Sequence, residues 1–267
     1  MGGSFEAAGT LGERRRRRHS PVRGFPSRLS RPIFAHMAKP PVPVASNPAV
    51  AAFLKRAEAL PALRTVPQPA RLLFGVDATA SRQPTWDRAC HVQAEMFTAT
   101  SGLRALTVSL AYYRGHGEFA ATPYLSDSRE LAARMAAVGC AGGQTQILRL
   151  LRHAEAEAAT ARLHAAVFVG DAAEEEPDPI WAAASRLGAR GVPVFVFQEG
   201  DDPAATGVLK GIARLSGGAW APFDHRSPGA LAALLRGAAA YAAGGREALA
   251  KLPGAAALLA QLPRPAG

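Results

Sequence analysis

The chain has 267 residues, 48% apolar, 19% charged and 7% aromatic, a composition that supplies a buried core and excludes wholesale disorder. Two cysteines, Cys90 and Cys140, are too few for a disulfide scaffold and lack the spacing of a zinc ribbon. The formal charge of +10 is unevenly placed, because residues 1–36 hold eight arginines (five of them at 14–18) against Glu6 and Glu13, so the rest of the chain is not a polycation.

The basic start has no apolar run of the kind a signal peptide needs. With the Pro-rich, extended stretch 38–46 it predicts a disordered arm over 1–46; an organellar leader and a translation start at Met37 stay open as alternatives. No stretch reaches the ~20 apolar residues of a membrane span, so a cytoplasmic location is expected. Asn47-Pro48 reads as an N-cap and first helical position, and prolines at 61, 67 and 69 close a helix-and-linker segment over 47–69. A main domain over 70–243 and a short tail over 244–267 complete the expected organisation.

Within the main domain, 72–76 is a short apolar strand ending at Asp77, and 84–101 has helical spacing. Residues 106–113 and 118–125 read as two strands joined by Gly115-His116-Gly117, a hairpin signal. A helix over 128–138 leads to the Gly-rich loop 139–143, and a longer helix runs over 145–163. Strands at 165–169, 192–197 and 219–223 then alternate with helices, and a C-terminal helix is broken at Gly244-Gly245. Strands apolar on both faces, alternating with helices, predict an α/β fold. It is Rossmann-like, with an open, mainly parallel six-stranded sheet, one antiparallel edge strand and helices on both faces. Ligands of such sheets sit beyond the carboxyl ends of strands, where the winding reverses.

The loops at those ends carry Asp77-Ala-Thr79-Ala-Ser81, then Thr145 after the Gly-rich turn, then Asp171. Together these are hard oxygen ligands of the kind that suit Mg²⁺ or Mn²⁺. Taken singly, Asp77, Asp171 and Thr145 also suit helix caps, and Thr79 and Ser81 suit turns. The acidic run 174–178 reads as a solvated helix start or as a charged rim of the site. Tyr112, Tyr113 and Tyr124 read as packing residues, and His91, His116, His153 and His164 show no ligand spacing.

In this pattern, D-x-T-x-S followed by a Thr and then an Asp, the chain resembles the von Willebrand factor type A family with its metal-ion-dependent adhesion site, over residues 70–225. The resemblance implies that Thr79, Ser81 and Thr145 bind the ion through their hydroxyls, with Asp77 and Asp171 holding ligating waters behind them. Thr79 stands where Ser is usual and keeps the hydroxyl. It further implies a Mg²⁺-dependent protein–protein interaction module that captures an Asp or Glu of a partner protein. Relatives of this kind serve as adaptors, some beside AAA+ ATPases.

Two other classes are set beside it. One is a nucleic-acid partner bound by the Arg-rich arm, which lacks the interleaved aromatics that nucleic-acid binding favours. The other is a metal-dependent phosphohydrolase. A haloacid-dehalogenase-type nucleophile would want an acid where Thr79 stands. No P-loop, no G-x-G-x-x-G after the first strand and no G-x-S-x-G occurs, so no enzymatic activity is expected.

Overall fold

The computed structural model describes residues 68–83, 105–224 and 228–264. The expected helices over 47–60 and 84–101, the basic arm and Cys90 lie outside the described residues. The chain divides between Leu63 and Arg64, and the described residues all belong to the second part.

Six strands form one sheet: β1 (Ala70–Asp77), β2 (Leu106–Arg114), β3 (Glu118–Ala121), β4 (Ala165–Gly170), β5 (Val194–Glu199) and β6 (Trp220–Phe223). Their spatial order is β3-β2-β1-β4-β5-β6, and every pairing is parallel except β2 with β3. The fold is therefore the mainly parallel α/β sheet with an antiparallel edge strand that the alternating pattern predicts. β1, β4 and β5 are buried on both faces because helices cover both. On one face α1 (Ser128–Ala136) and α5 (Pro228–Ala250) pack over Leu72, Phe74, Val167 and Phe195. On the other, α2 (Ile147–Thr160), α3 (Pro177–Ala189) and α4 (Pro203–Ser216) pack over Leu73, Ala166, Phe168 and Val196. Among the described residues no helix is long and apolar enough to cross a membrane.

Three local features refine the sequence reading, and each has a physical cause. The hairpin strand expected over 118–125 stops at Ala121. Pro123 has no N–H to give the ladder, so pairing lapses there and resumes only where Leu125 exchanges two backbone bonds with Val108 (2.8 and 2.9 Å). The segment after the helix break at Gly244 and Gly245 is packed: Leu249 at the end of α5, Leu258 on a short helix α6 (Ala256–Leu259) and Leu262 beyond it all join the core. That segment also covers the sheet edge. The Gln261 side-chain amide accepts from the Trp220 N–H (2.9 Å) and donates to its carbonyl (2.8 Å), imitating a neighbouring strand, while Pro222 offers no N–H.

The order of strands fixes where a ligand can sit. Leaving β1, the chain winds outward through β2 and then crosses back to β4 on β1's other side. The carboxyl ends of β1 and β4 thus flank the point where winding reverses.

Candidate metal centre

Asp77 ends β1 and is fully buried. Its Oδ1 accepts the Thr79 N–H (2.7 Å), a two-residue turn that Asp forms readily. Its Oδ2 accepts the Tyr113 hydroxyl (3.0 Å), which the register supplies because Asp77 and Tyr113 are direct partners across β1 and β2. Tyr113 is itself fully buried, stacked at 6.4 Å on Phe168. Burial pushes the Asp77 carboxyl above its ordinary value, the Thr79 hydrogen bonds oppose the rise, and the nearby Asp171 charge adds to it.

The turned backbone after Asp77 brings Thr79 and Ser81 together. Their hydroxyl oxygens lie 3.2 Å apart at the start of a 3-10 turn, Ala80–Arg82. Thr79 is buried and Ser81 exposed, so the pair spans the surface of the crevice. The Gly-rich loop is held beside it by a bond from the Ala141 N–H to the Ala78 carbonyl (3.1 Å). Gly143 is required there: a Cβ would lie 2.0 Å from the Gly115 carbonyl oxygen in the hairpin turn, so no side chain fits.

Thr145 is buried and is fastened to the loop after β4 by a reciprocal pair of bonds. Its N–H donates to Glu174 Oε2 (3.0 Å), and its Oγ1 accepts the Glu174 N–H (3.0 Å). Glu175 then accepts from the N–H groups of Ile147 and Leu148 (the latter at 3.0 Å), capping α2, whose own N-cap residue Gln146 makes no capping bond. Two members of the acidic run, Glu174 and Glu175, therefore bond to the segment that opens the preceding helix, while Glu176 and Asp178 stand exposed at the start of α3. Burial holds the Glu175 carboxyl above its usual range, against the α2 amides and Thr145.

Asp171, one residue beyond β4, is half-buried, and its Oδ1 is buried with no hydrogen-bond partner. Asp77, Thr79 and Ser81 are thus joined directly. Asp171 acts on Asp77 through its charge, and Thr145 is tied to the Asp171 loop through Glu174. No group of three His, Cys, Asp or Glu gathers as a metal cage among the described residues. Any ion at this crevice would have to draw on hydroxyls. The donor set fits such an ion: a close pair of hydroxyls, a third just past the Gly-rich loop that is bonded to Ala78, and one unpartnered buried carboxylate oxygen of the kind a hard cation or its waters satisfy.

Among side chains without ligand spacing, the His164 Nδ1 accepts the Arg71 N–H (3.1 Å) and His153 stacks edge-on to Phe119 at 5.3 Å, both packing roles. What the sequence reading passed over is Arg82. It directly follows Ser81 and is fully buried, with its guanidinium ion-paired to Glu199 at the end of β5. A basic residue in a polar turn gives no sign of burial in a sequence.

A scan against protein-family models gave no match, and neither did a search of curated proteins. Solved structures do match. The von Willebrand factor type A structure from Catenulispora acidiphila superposes with a TM-score of 0.51 at 17% identity, over 65% of this chain and 42% of that one. This chain therefore spans less than half the length of that protein. The vWF domain of the type V pili tip protein Mfa5 from Porphyromonas gingivalis superposes with a TM-score of 0.50 at 10% identity, over 64% of this chain and 94% of that one. Sheet order, covering helices and crevice define an open, Rossmann-like α/β domain. Its fold is that of the von Willebrand factor A domain.

Proposed function

We propose that this chain is a protein-interaction module whose crevice binds one divalent cation, Mg²⁺ or Mn²⁺, and through it an Asp or Glu of a partner protein. The observation that carries this reading is the unpartnered, buried Asp171 Oδ1 at the end of the strand next to the one whose turn carries the Thr79 and Ser81 hydroxyl pair. Thr79, Ser81 and Thr145 would hold the ion by neutral oxygens. Asp77, buried and fixed by Thr79 and Tyr113, holds the turn in place from behind, and Asp171 has an oxygen to spare for a ligating water. When bound, the ion supplies an electrophilic corner for one further anionic oxygen. The three neutral hydroxyls do little to quench its charge. A carboxylate captured this way, desolvated at the centre of a contact, is the kind of anchor that dominates interface energy.

The same geometry speaks against phosphohydrolase chemistry. Asp77 is fully buried and held by the Thr79 N–H and the Tyr113 hydroxyl, whereas a phosphoryl-accepting nucleophile must be open to its substrate. A cytoplasmic adaptor acting beside an AAA+ ATPase or another assembly complex is the class of role to look for first, on the strength of the family resemblance. The test is affinity capture of the full chain from lysate, run in parallel with Mg²⁺ and with chelator. Partners specific to the Mg²⁺ arm, and lost with Asp77→Ala while the fold survives, are expected. Retention indifferent to both would contradict the reading.

A further inference from the structure

Arg82 ends the turn that carries Thr79 and Ser81, yet its side chain has no exposed surface. Its Nη1 pairs with Glu199, while Nε and Nη2 are buried and have no hydrogen-bond partner. The guanidinium also feels the charges of Asp171 and Asp77, and it forms no direct ion pair with either. By register Asp77, Asp171 and Glu199 stand at the ends of the neighbouring strands β1, β4 and β5. A side chain that leaves the turn after Asp77 and is ion-paired to Glu199 therefore reaches past the β4 end that Asp171 follows, and Asp171 too has a buried oxygen without a partner. An apolar side chain could fill this space without stripping a charge of water, so packing alone does not account for a guanidinium here.

We propose that Arg82 is the internal counter-cation of the crevice, a fixed positive charge that faces the same carboxylates as the divalent ion and sets how tightly the ion is held. This rests on the metal-site reading above. The argument is one of charge. With Arg82 present, part of the negative potential of Asp77 and Asp171 is already spent, and like charges in a low-dielectric crevice repel strongly. The ion is then held weakly by the bare domain. A partner carboxylate restores the balance, so ion and partner each strengthen the other's binding, a coupling that is reciprocal. In this way Arg82 makes the module respond to ion and acidic ligand together instead of to the ion alone.

The test measures Mn²⁺ affinity of the full chain, from the free-ion paramagnetic resonance signal, for the wild type, Glu199→Gln, Glu199→Gln with Arg82→Met, and Arg82→Lys. Thermal melts in chelator establish that each is folded. Glu199→Gln, which leaves Arg82 without its direct partner, is expected to bind Mn²⁺ weaker than the wild type. Adding Arg82→Met is expected to tighten binding about tenfold or more relative to that single variant. Arg82→Lys, which keeps the charge, is expected to stay close to the wild type. A residue with a purely structural role would move both Glu199→Gln variants the same way. If Arg82→Met leaves the affinity of the Glu199→Gln protein unchanged or weakens it, the role of Arg82 is overturned while the metal site stands. If the paired variant does not fold, Glu199→Gln alone decides: wild-type affinity in that variant overturns the proposal. Absence of Mn²⁺ binding in all four proteins overturns both readings together.

Discussion

At the scale of the residue, the site is built on a carboxylate kept from water. The Asp77 carboxyl lies above its ordinary value of 3.8 because it is buried, and the Thr79 hydrogen bonds only partly offset this. A raised value means that the folded chain holds this proton more tightly than the unfolded chain does. The resulting stability is present below pH 3.8 and is lost as pH rises through the folded value. In chelator, the wild type is therefore expected to lose stability across that window relative to Asp77→Asn, which still accepts the Thr79 N–H. Urea unfolding at a series of pH values checks this, and parallel curves would contradict it. The Tyr113 hydroxyl is the other support. Tyr113→Phe leaves Asp77 Oδ2 buried and unpaired and is expected to cost about 1–3 kcal/mol at neutral pH, read from the urea midpoint. The sequence made Tyr113 legible as a packing residue, which it is. Its hydroxyl role was hidden because that depends on the β1–β2 register, which no local pattern specifies.

At the scale of the element, most of the chain was readable because each strand is a short apolar run and each helix carries its apolar face at regular spacing. Helix ends were less readable where the cap comes from elsewhere. α2 starts at Ile147, and its free N–H groups are met by Glu175, twenty-eight residues from Ile147. The acidic run was visible in the sequence, but not the helix it serves. Glu175→Ala is expected to cost about 1 kcal/mol, within the usual range for a lost cap, and to speed hydrogen exchange at Ile147 and Leu148. Unchanged exchange at those amides would contradict the assignment. The sheet edge offers a second case. Gln261→Ala removes the two bonds to Trp220 and is expected to lower stability by about 1–2 kcal/mol, measured by urea unfolding. Removing them also bares a strand edge, so concentration-dependent light scattering should rise.

At the scale of the whole molecule, the order of the strands turns separate loops into one place. Asp77, Thr145 and Asp171 are far apart along the chain, yet Asp77 ends and Asp171 directly follows two adjacent central strands, and Thr145 is tied to the loop after the second of them. This much followed from reading hydroxyls and acids at strand ends in an α/β pattern, since such sheets gather those ends. The buried pair of Arg82 and Glu199 did not follow. Charges are rarely buried, and only tertiary packing reveals which ones are. The central claim is that these loops hold a single divalent ion, and the most direct measurement is the anomalous scattering of Mn²⁺ in crystals of this chain. One peak is expected, in contact with the hydroxyls of Thr79, Ser81 and Thr145 and with Asp171 behind it. A saturating soak that leaves this crevice without a peak, or that places the ion on other side chains, would contradict the account.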